Sequence, residues 1–530
     1  MSEEVASGAR TKERWSTKLL RSIMPKRKEK ERWNSRLSFI LASMGAAIGF
    51  GNVWRFPQLA YQYGGGAFFI PYLLALFFIG IPILVLEISL GQVYQMGDAG
   101  AFGSIHKRLT GIGVGSILCA YLLICYYVPL ISWVANAFFD SFGSVFPWDG
   151  LTGSEASNYF QDEIIGMSTL DEPDLWPSRL IGKNVGYLFM SWSIVFMCVL
   201  FGVKAEGKIV FFTMGLPIIL MFVFLVRACT LTGSSDGIKA YIGEWDLSVL
   251  SDQPDVWSTA VSQIFFSIGV TFGFMTAFGA HCERDAPAFS NSVIIALSNS
   301  TFSFISGFAV FASLGYLSYI ENTPIDELKV GGFGLMFGSY PVVLSTLPGG
   351  EHWVRLLFVD LFLLGIDSAF ALTEGVITVL LDAALFRDTP RWKVALGVCF
   401  SAFLIGLIFA TDAGLIFLDA IDFYINFVML LVGFFETFGA GWVFGVEKQC
   451  ETYGKGPVLS IMITYYGSFL IASAVWFGAD NNNLWGGFLA LILVFLAGTA
   501  VTIYMCMQIM KEHTEKFTWS ELLFGLYCSN

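Results

Sequence analysis

The chain has 530 residues, of which 55% are hydrophobic and only 14% are charged, and its mean hydropathy is +0.67. An ordinary soluble domain is much less apolar and carries more charge, so this composition indicates a protein that crosses a membrane many times. The net charge of −12 argues against a nucleic acid as partner.

The first 36 residues are basic and lack a long hydrophobic run. They contain eleven Lys or Arg residues and no apolar stretch that could form the core of a signal peptide. Because positively charged segments stay on the inner side of a membrane, we expect a cytoplasmic N-terminus. The basic tract at 26–30 either contacts anionic lipid or forms a solvated tail.

Twelve apolar runs of about 17 to 25 residues follow this tail, each long enough to cross a bilayer. They begin near positions 37, 67, 112, 185, 209, 258, 290, 353, 393, 415, 457 and 485. Twelve crossings return the C-terminus to the cytoplasm, in agreement with basic residues at Lys107 and Arg108 and an acidic loop after the third run. We therefore predict one membrane domain at 37–511 between cytoplasmic tails at 1–36 and 512–530.

The first run is interrupted by three glycines and an amide between Gly45 and Asn52, and an arginine follows at Arg55. Glycine lowers helix propensity by about 1 kcal/mol per residue. Backbone groups that leave a helix at membrane depth are tolerated where they line a protein cavity or a water path. This segment is a candidate binding site; the alternative is close helix packing through small residues.

The sixth run repeats the anomaly, with small and polar residues in the middle of the segment from Gln263 to Gly273. Interrupted helices at positions 1 and 6 predict two five-helix repeats, at about 37–232 and 257–445, with helices 11 and 12 at about 456–511. Five is an odd number, so the second repeat enters the membrane from the opposite side. Transporters of this design bind substrate and ions between the two broken helices.

Ionisable side chains inside apolar runs usually face a pathway or a partner. Asp367 and Ser368 lie beside Gly365, where oxygen ligands for a hard cation such as Na⁺ are chemically suitable, although a buried Asp could instead carry a proton. Arg55 and Asp422 have similar predicted depth and could close an outer gate directly or through water; the alternative is a static ion pair.

Four motifs together resemble the neurotransmitter:sodium symporter family, in order and with the family's spacing: Gly45 to Pro57, Gly64 to Tyr72, Gln263 to Ser267, and Asp367 to Thr378. The resemblance runs from about Trp33 to the twelfth helix. It implies an all-α membrane protein with twelve transmembrane helices, a LeuT-like 5+5 inverted repeat and discontinuous helices 1 and 6. It also implies a multi-pass protein of the plasma membrane.

The resemblance implies two sodium sites and one chloride site. The first sodium site would use Ala47, Asn52, Ser267 and Asn299. The second would use backbone carbonyls of Gly45, Ile48 and Leu364 with the side chains of Asp367 and Ser368. Chloride would bind at Tyr72, Gln263, Ser267 and Ser303, and the lack of a carboxylate at Ser303 suggests a need for this external anion.

The resemblance also implies a substrate pocket lined by Ala46, Ala47, Gly49, Phe50, Gly51, Leu123, Tyr127, Phe266, Ser267, Gly269, Phe272, Ser368 and Leu372. Tyr127 would bond the substrate carboxylate, and Phe266 would act as a lid. Monoamine carriers of the family have Asp at the position of Gly49, whereas amino-acid carriers have Gly. The chain therefore resembles the amino-acid branch.

The implied gates are Arg55, Asp422 and Phe266 outside, and Lys30, Trp33 and Asp382 inside. Lys30 replaces the family's Arg and loses its bidentate geometry. His281 stands where the family has a Tyr, and either titrates near neutral pH or is an ordinary loop histidine.

We thus expect a sodium-coupled, chloride-dependent symporter that imports a neutral amino acid by alternating access, with the lipid bilayer as its other partner. The alternatives are a nontransporting sensor or accessory protein on the same fold, and a proton-coupled carrier that uses Asp367. An enzyme is not expected, because no H-E-x-x-H, G-x-S-x-G or nucleotide-binding loop is present and the chain has only four histidines.

Overall fold

A computed structural model describes residues 30–143, 146–167, 176–328, 333–444, 446–478 and 484–512. The basic tract at 26–30, except Lys30, and the C-terminal tail beyond 512 lie outside the described residues. The described chain is helical, and its only β-type pairings are two isolated bridges.

Ten helices of the described chain are long and apolar enough to cross a membrane. In chain order they are α2 Gly66–Tyr94, α3 Lys107–Asp140, α4 Gly182–Leu200, α5 Val203–Cys229, α7 Ala288–Glu321, α8 Gly350–Asp382, α9 Arg391–Ala410, α10 Gly414–Val443, α11 Lys455–Gly478 and α12 Leu484–Glu512. The first apolar run instead forms a bent pair, α1a Arg36–Ala47 and α1b Gly51–Gln62, which meet at 54° and raise the number of candidate spans to eleven. The sixth run forms two shorter helices, α6a Asp255–Ile268 and α6b Phe274–Gly279.

Local chemistry explains where α1 begins and breaks. Ser35 caps α1a, since its hydroxyl accepts the N–H of Ser38 at 3.0 Å. Ile48 is extended at the end of α1a. The helix then resumes with a wide π-type turn at Gly51–Arg55, in which the N–H of Phe56 bonds the carbonyl of Gly51.

The core of the bundle is formed by α1, α3, α6, α7 and α8. α8 packs along α3 and against α1a, and α6b lies between α2 and α8. The buried share of the most apolar stretch falls from 78% in α8 to 6% in α12. The broken helices therefore lie at the centre, whereas α11 and α12 pack chiefly on each other at the edge.

Short helices connect the long ones at both ends of the bundle. They include Asp98–Ile105 between α2 and α3, and Gly334–Ser345 between α7 and α8. The first of these places a buried carboxylate, Asp98, beneath the helix-6 break.

Candidate functional site

The helix-1 break is held by its own amide side chain. The side-chain oxygen of Asn52 accepts the N–H of Gly49 at 2.9 Å, so one otherwise free backbone donor is satisfied within the break. Asn52 is fully buried and directs its amide nitrogen toward α6a and α7. The break predicted at 45–52 is confirmed at this position.

The helix-6 break depends on left-handed backbone. Gly269 ends α6a with φ +76° and Gly273 precedes α6b with φ +72°. Between them Thr271 has φ +70°, which is unfavourable for a β-branched residue. Its N–H donates to a side-chain oxygen of Glu87 on α2 at 2.6 Å, and this bond holds the strained residue in place.

A small cavity lies between the two breaks. The volume open to the centres of water molecules is about 30 Å³, which is enough for about two waters. It is bounded by α1, α3, α6 and α8. Its walls are Ala46, Ala47, Gly49, Gly51, Leu123, Tyr127, Phe266, Ser267, Gly269, Phe272, Phe274, Ser368 and Leu372.

All but one of the predicted pocket residues line this cavity. Phe50 is the exception, because its ring packs on that of Tyr127 at 5.2 Å and reaches the backbone at Gly365. The sequence interpretation missed Phe274, the first residue of α6b, whose ring lies against Gly269. Its position directly after the second break was the available signal.

Gly49 is the point of closest approach in the cavity. A Cβ atom at this position would lie 2.6 Å from the hydroxyl oxygens of both Ser368 and Tyr127. The Tyr127 hydroxyl in turn accepts the N–H of Phe50 at 3.4 Å. Two hydroxyls therefore converge on a backbone that has no side chain of its own.

The residues of the predicted first sodium site are brought together. The amide nitrogen of Asn52 lies 2.8 Å from the side-chain oxygen of Asn299 and 3.4 Å from the Ser267 hydroxyl. In the opposite orientation of the Asn299 amide, which gives up this bond to Asn52, its nitrogen lies 3.2 Å from the Ala47 carbonyl and its oxygen accepts the Ser267 hydroxyl at 2.8 Å. Amide, hydroxyl and carbonyl oxygens of this kind are ligands for a hard cation.

The predicted second sodium site contains an unpaired carboxylate. Asp367 is fully buried, and neither of its oxygens has a hydrogen bond of normal geometry among the described residues, although the Thr213 hydroxyl lies nearby. One of these oxygens would lie 2.9 Å from a Cβ at Gly45, so the carboxylate faces the last turn of α1a. An uncompensated buried charge is costly, and a cation bound beside it removes that cost.

The other predicted ligands of this second site surround the same place. Leu364 and Ser368 flank Asp367 on α8, and Ile48 ends α1a in an extended conformation that frees its carbonyl from helical bonding.

The predicted chloride residues adjoin the first sodium set. Ser303 accepts the Asn52 amide at 2.8 Å, and Ser267 bonds Asn299. Tyr72 donates to Ser300 at 3.1 Å on the same face of α7 as Ser303. One turn before Ser267, Gln263 donates to the Gly51 carbonyl at 3.2 Å. Hydroxyl and amide donors therefore gather in one buried place.

At the end of the cavity where the outer gate was predicted lies a group of contacts that we call the outer closure: Arg55, Phe266, Ser262, Asn426 and the pair Tyr126 with Asp422. The Arg55 guanidinium lies 4.8 Å from the centre of the Phe266 ring and donates to the Asn426 side chain at 2.9 Å. The Phe266 ring covers Gly51, where a Cβ would be 3.1 Å away. These contacts seal the cavity beyond the helix-1 break.

Arg55 and Asp422 were predicted to meet directly or through water, and the direct ion pair is not formed within the described chain. Asp422 accepts the Tyr126 hydroxyl at 2.7 Å instead. Asn426, one turn further along α10, bonds both Arg55 and the Asp422 carbonyl and thus occupies the space between them. Its spacing of four residues from Asp422 was the signal that the sequence interpretation missed.

The inner closure consists of Lys30, Trp33, Phe278 and Asp382. Lys30 forms an ion pair with Asp382 at 2.8 Å, and the same carboxylate oxygen accepts the N–H of Gly97 at 2.8 Å. The Trp33 indole donates to the Phe278 carbonyl at 3.0 Å and packs edge-on against its ring. The structure therefore brings the three predicted inner-gate residues together.

His281 lies directly behind this closure and is buried. Its Nδ1 is 2.6 Å from the Glu31 carbonyl, and its own carbonyl accepts the N–H of Trp33. Burial lowers the pKa of His281 to about 4, with the charge of Lys30 acting in the same direction. The side chain is neutral at pH 7, so the interpretation of His281 as a group that titrates near neutral pH is wrong.

The chain is similar to a known family of membrane proteins over most of its length. The family model described as the sodium:neurotransmitter symporter family matches residues 30–164 and 151–477. The matched region includes both broken helices and the cavity between them.

Individual relatives of known function are also similar. The sodium- and chloride-dependent GABA transporter 2 of Homo sapiens is 35% identical over 464 residues, which cover 82% of this chain and 77% of that protein. The sodium- and chloride-dependent taurine transporter of Bos taurus is 34% identical over 450 residues, covering 79% of this chain and 72% of the relative. The human taurine transporter is 33% identical over a region of the same length.

Proposed function

Because the chain belongs to the sodium:neurotransmitter symporter family, a family of transporters and not of enzymes, we propose that it imports a neutral amino acid or a similar zwitterion together with Na⁺ and Cl⁻. The observation that carries the proposal is the cavity between the two helix breaks. Its walls combine a bare backbone at Gly49 with two hydroxyls, and the oxygen-rich Asn52 and Asp367 sites lie beside it.

The substrate carboxylate binds at Gly49, where the Tyr127 hydroxyl and the N-terminus of α1b converge. A helix N-terminus favours an anionic group. An acidic side chain at Gly49 would compete for this place, which explains why the substrate must bring its own carboxylate or sulfonate. GABA and taurine, named for the two relatives, have this chemistry.

Two sodium ions travel with the substrate, one at the Asn52 and Asn299 oxygens and one at Asp367. Both ions lie in a low-dielectric centre, where a chloride at Tyr72 and Ser303 offsets their charge. The Asp367 carboxylate supplies the only ionised ligand in this arrangement, and its two unpaired oxygens support a cation there.

The transport cycle uses the two closures in turn. Substrate and ions enter when the outer closure opens, and Phe266 and Arg55 then cover them. Separation of the Lys30 and Asp382 ion pair, together with movement of α1a and α6b, releases the substrate and the ions inward. The two hinges are the segments at 48–50 and 269–273, where backbone hydrogen bonding is already interrupted.

The membrane arrangement is part of the same proposal. The two pieces of helix 6 form the twelfth span, which gives the 5+5 inverted repeat at 37–232 and 257–445 and leaves α11 and α12 at 456–511 outside it. The domain at 37–511 lies in the plasma membrane, and the tails at 1–36 and 512–530 are cytoplasmic.

The test is amino-acid uptake into proteoliposomes with Na⁺ replaced by choline or Cl⁻ replaced by gluconate. A thermal-shift screen of amino acids, GABA and taurine with NaCl first selects the ligand, because binding raises apparent stability. We expect the uptake rate to fall more than about tenfold without Na⁺, which corresponds to a free-energy loss of at least about 1.4 kcal/mol.

Asp367→Asn and Asn52→Ala should abolish the sodium dependence. Asp360→Asn is the matched control, since Asp360 is equally buried two turns earlier on α8. Undiminished uptake in choline would exclude sodium coupling. Ligand binding without uptake would instead favour a sensor.

A further inference from the structure

Three carboxyl side chains meet beneath the helix-6 break, outside the cavity. Glu87 comes from α2, Asp98 from the short helix before α3, and Glu436 from α10, and all three are fully buried. A Cβ at Gly273 would lie 3.1 Å from the Asp98 carboxylate, which places the group directly under α6b. We call these three residues the acid cluster.

The three carboxyls have unequal hydrogen bonding. Glu87 accepts the N–H of Thr271, and Asp98 accepts the Ser116 hydroxyl. Neither oxygen of Glu436 accepts a hydrogen bond from an N–H or hydroxyl of the described residues, yet its carboxyl lies within hydrogen-bond reach of Asp98. Two carboxyls in such contact attract each other only when a proton lies between them.

A further polar group points at the cluster without satisfying it. The Thr276 hydroxyl on α6b is fully buried, faces Asp98 and has no hydrogen-bond partner among the described residues. The remaining titratable neighbour is the Cys119 thiol on α3.

Positive charge does not balance the cluster. No Lys, Arg or His in the described part of the chain forms an ion pair with any of its carboxyls. No group of three or more acidic, His or Cys side chains in that part of the chain has the geometry of a metal site. Three buried like charges this near to one another, two of them in contact, are strongly disfavoured, and protonation is the available way to remove charge.

We propose that the acid cluster is a proton-binding site, in which Glu436 is protonated and donates a hydrogen bond to Asp98. With this assignment, the close contact between the Glu436 and Asp98 carboxyls contains a hydrogen-bond donor. Glu87 keeps a separate role, since its carboxyl accepts the Thr271 N–H.

Occupancy of this site is linked to the helix-6 break. Glu87 fixes Thr271, and Asp98 lies against Gly273, so two of the three carboxyls contact the hinge that must move for α6b to open. Loss of the Glu436 proton puts like charges side by side under the hinge and destabilises the closed conformation. Uptake therefore decreases as the pH rises.

The first experiment is infrared difference spectroscopy on the purified full-length protein, at about pH 6 and about pH 9. We expect C=O stretching bands of protonated carboxylic acids at the lower pH, and the loss of one of these bands in Glu436→Gln. Asp98→Asn, which keeps an acceptor for the Glu436 proton, should shift the band without removing it. The exposed Glu283 gives the control Glu283→Gln, in which the band is unchanged.

The second experiment measures uptake over the same pH interval at constant Na⁺. Wild-type uptake should fall at least threefold, whereas Glu436→Gln, whose amide donates to Asp98 at any pH, should show a weaker dependence on pH. A band and a pH profile identical in wild type and Glu436→Gln would overturn the proposal. If this variant does not fold, an Asp98→Asn spectrum identical to that of the wild type would overturn it equally. The infrared result does not depend on the identity of the substrate, so it can fail while the proposed transport function stands.

Discussion

The two closures of the cavity are built from different chemistry. At the inner closure, Lys30 and Asp382 form an ion pair whose side chains are 20% and 16% exposed. At the outer closure, the charge of Arg55 is met by the neutral amide of Asn426 and by the face of an aromatic ring. One end of the site is closed by opposite charges, and the other by neutral contacts.

This difference predicts unequal costs of opening. Partial burial makes an ion pair stronger than the 0 to about 1 kcal/mol typical of the protein surface, and breaking it leaves two charges to be rehydrated. The outer contacts exchange one hydrogen bond from the Arg55 guanidinium to a neutral amide, worth about 1.5 to 3 kcal/mol, and one cation–π contact of about 1 kcal/mol for water. Without substrate, the protein should therefore open outward more readily than inward.

Removal of the inner ion pair should have the largest effect. Lys30→Ala leaves Asp382 with only the Gly97 N–H, so the inner closure loosens and uptake should fall at least about tenfold, or 1.4 kcal/mol. Alkylation of Cys282, buried beside this closure, should accelerate and can be followed by mass spectrometry.

The charge-swapped protein, Lys30→Asp with Asp382→Lys, is the control for this prediction. It should recover part of the uptake and of the Cys282 protection, because the pair is restored in reverse. Full activity of Lys30→Ala with a protected Cys282 would mean that the inner end is held closed by Trp33 and its neighbours alone.

Changes at Asn426 should have a moderate effect. Asn426→Ala removes one charge-assisted hydrogen bond from Arg55, which keeps the Ser262 hydroxyl and the Phe266 ring as partners, so uptake should fall only about two- to fivefold. Asn426→Asp supplies the ion pair that the outer end lacks, so maximal uptake should fall because outward opening is slower. Tyr424→Phe, a change on the exposed face of the same helix, should leave kinetics unaltered. Equal uptake rates for all three variants would show that the outer closure does not limit the transport cycle.

His281 should contribute the smallest effect, and only on the acid side. Its pKa of about 4 in the folded protein lies below the ordinary value of 6.5, so the unfolded chain takes up a proton first as the pH falls. Stability contributed by the neutral ring is complete above about pH 6.5 and is lost toward pH 4, by up to about 3 kcal/mol. Melting temperatures at pH 7 and pH 5 should therefore differ less in His281→Gln than in wild type, while uptake at pH 7 is the same. An equal acid shift in both proteins would contradict the burial of this ring.

The sequence predicted the breaks because glycine and amide residues are chemically out of place in an apolar run, whereas the cavity walls were implied by the family resemblance. Gly49, Asn52 and Asp367 are conspicuous at membrane depth, so they could be singled out before their geometry was known. The strain at Thr271 and its bond to Glu87 were not, since they depend on how α2 packs against α6.

Contacts between distant helices were the least predictable part of the site. Arg55 and Asp422 are correctly placed at one end, but charge alone does not reveal that Asn426 lies between them. Likewise a loop histidine is usually exposed, and only tertiary packing buries His281. Residue type indicated which side chains matter, and packing decided which of them meet.

The wide π-type turn at Gly51–Arg55 contains one residue more than an α-helical turn would. A π-type turn spans five residues per hydrogen bond where an α-helix spans four, so the surplus residue can be absorbed or released without breaking the chain of backbone bonds. Release of one residue rotates the preceding segment by about 100° about the helix axis. Asn52 and Arg55 both lie in this turn, so a single change of register would reorient the proposed ion ligand and the arginine of the outer closure together.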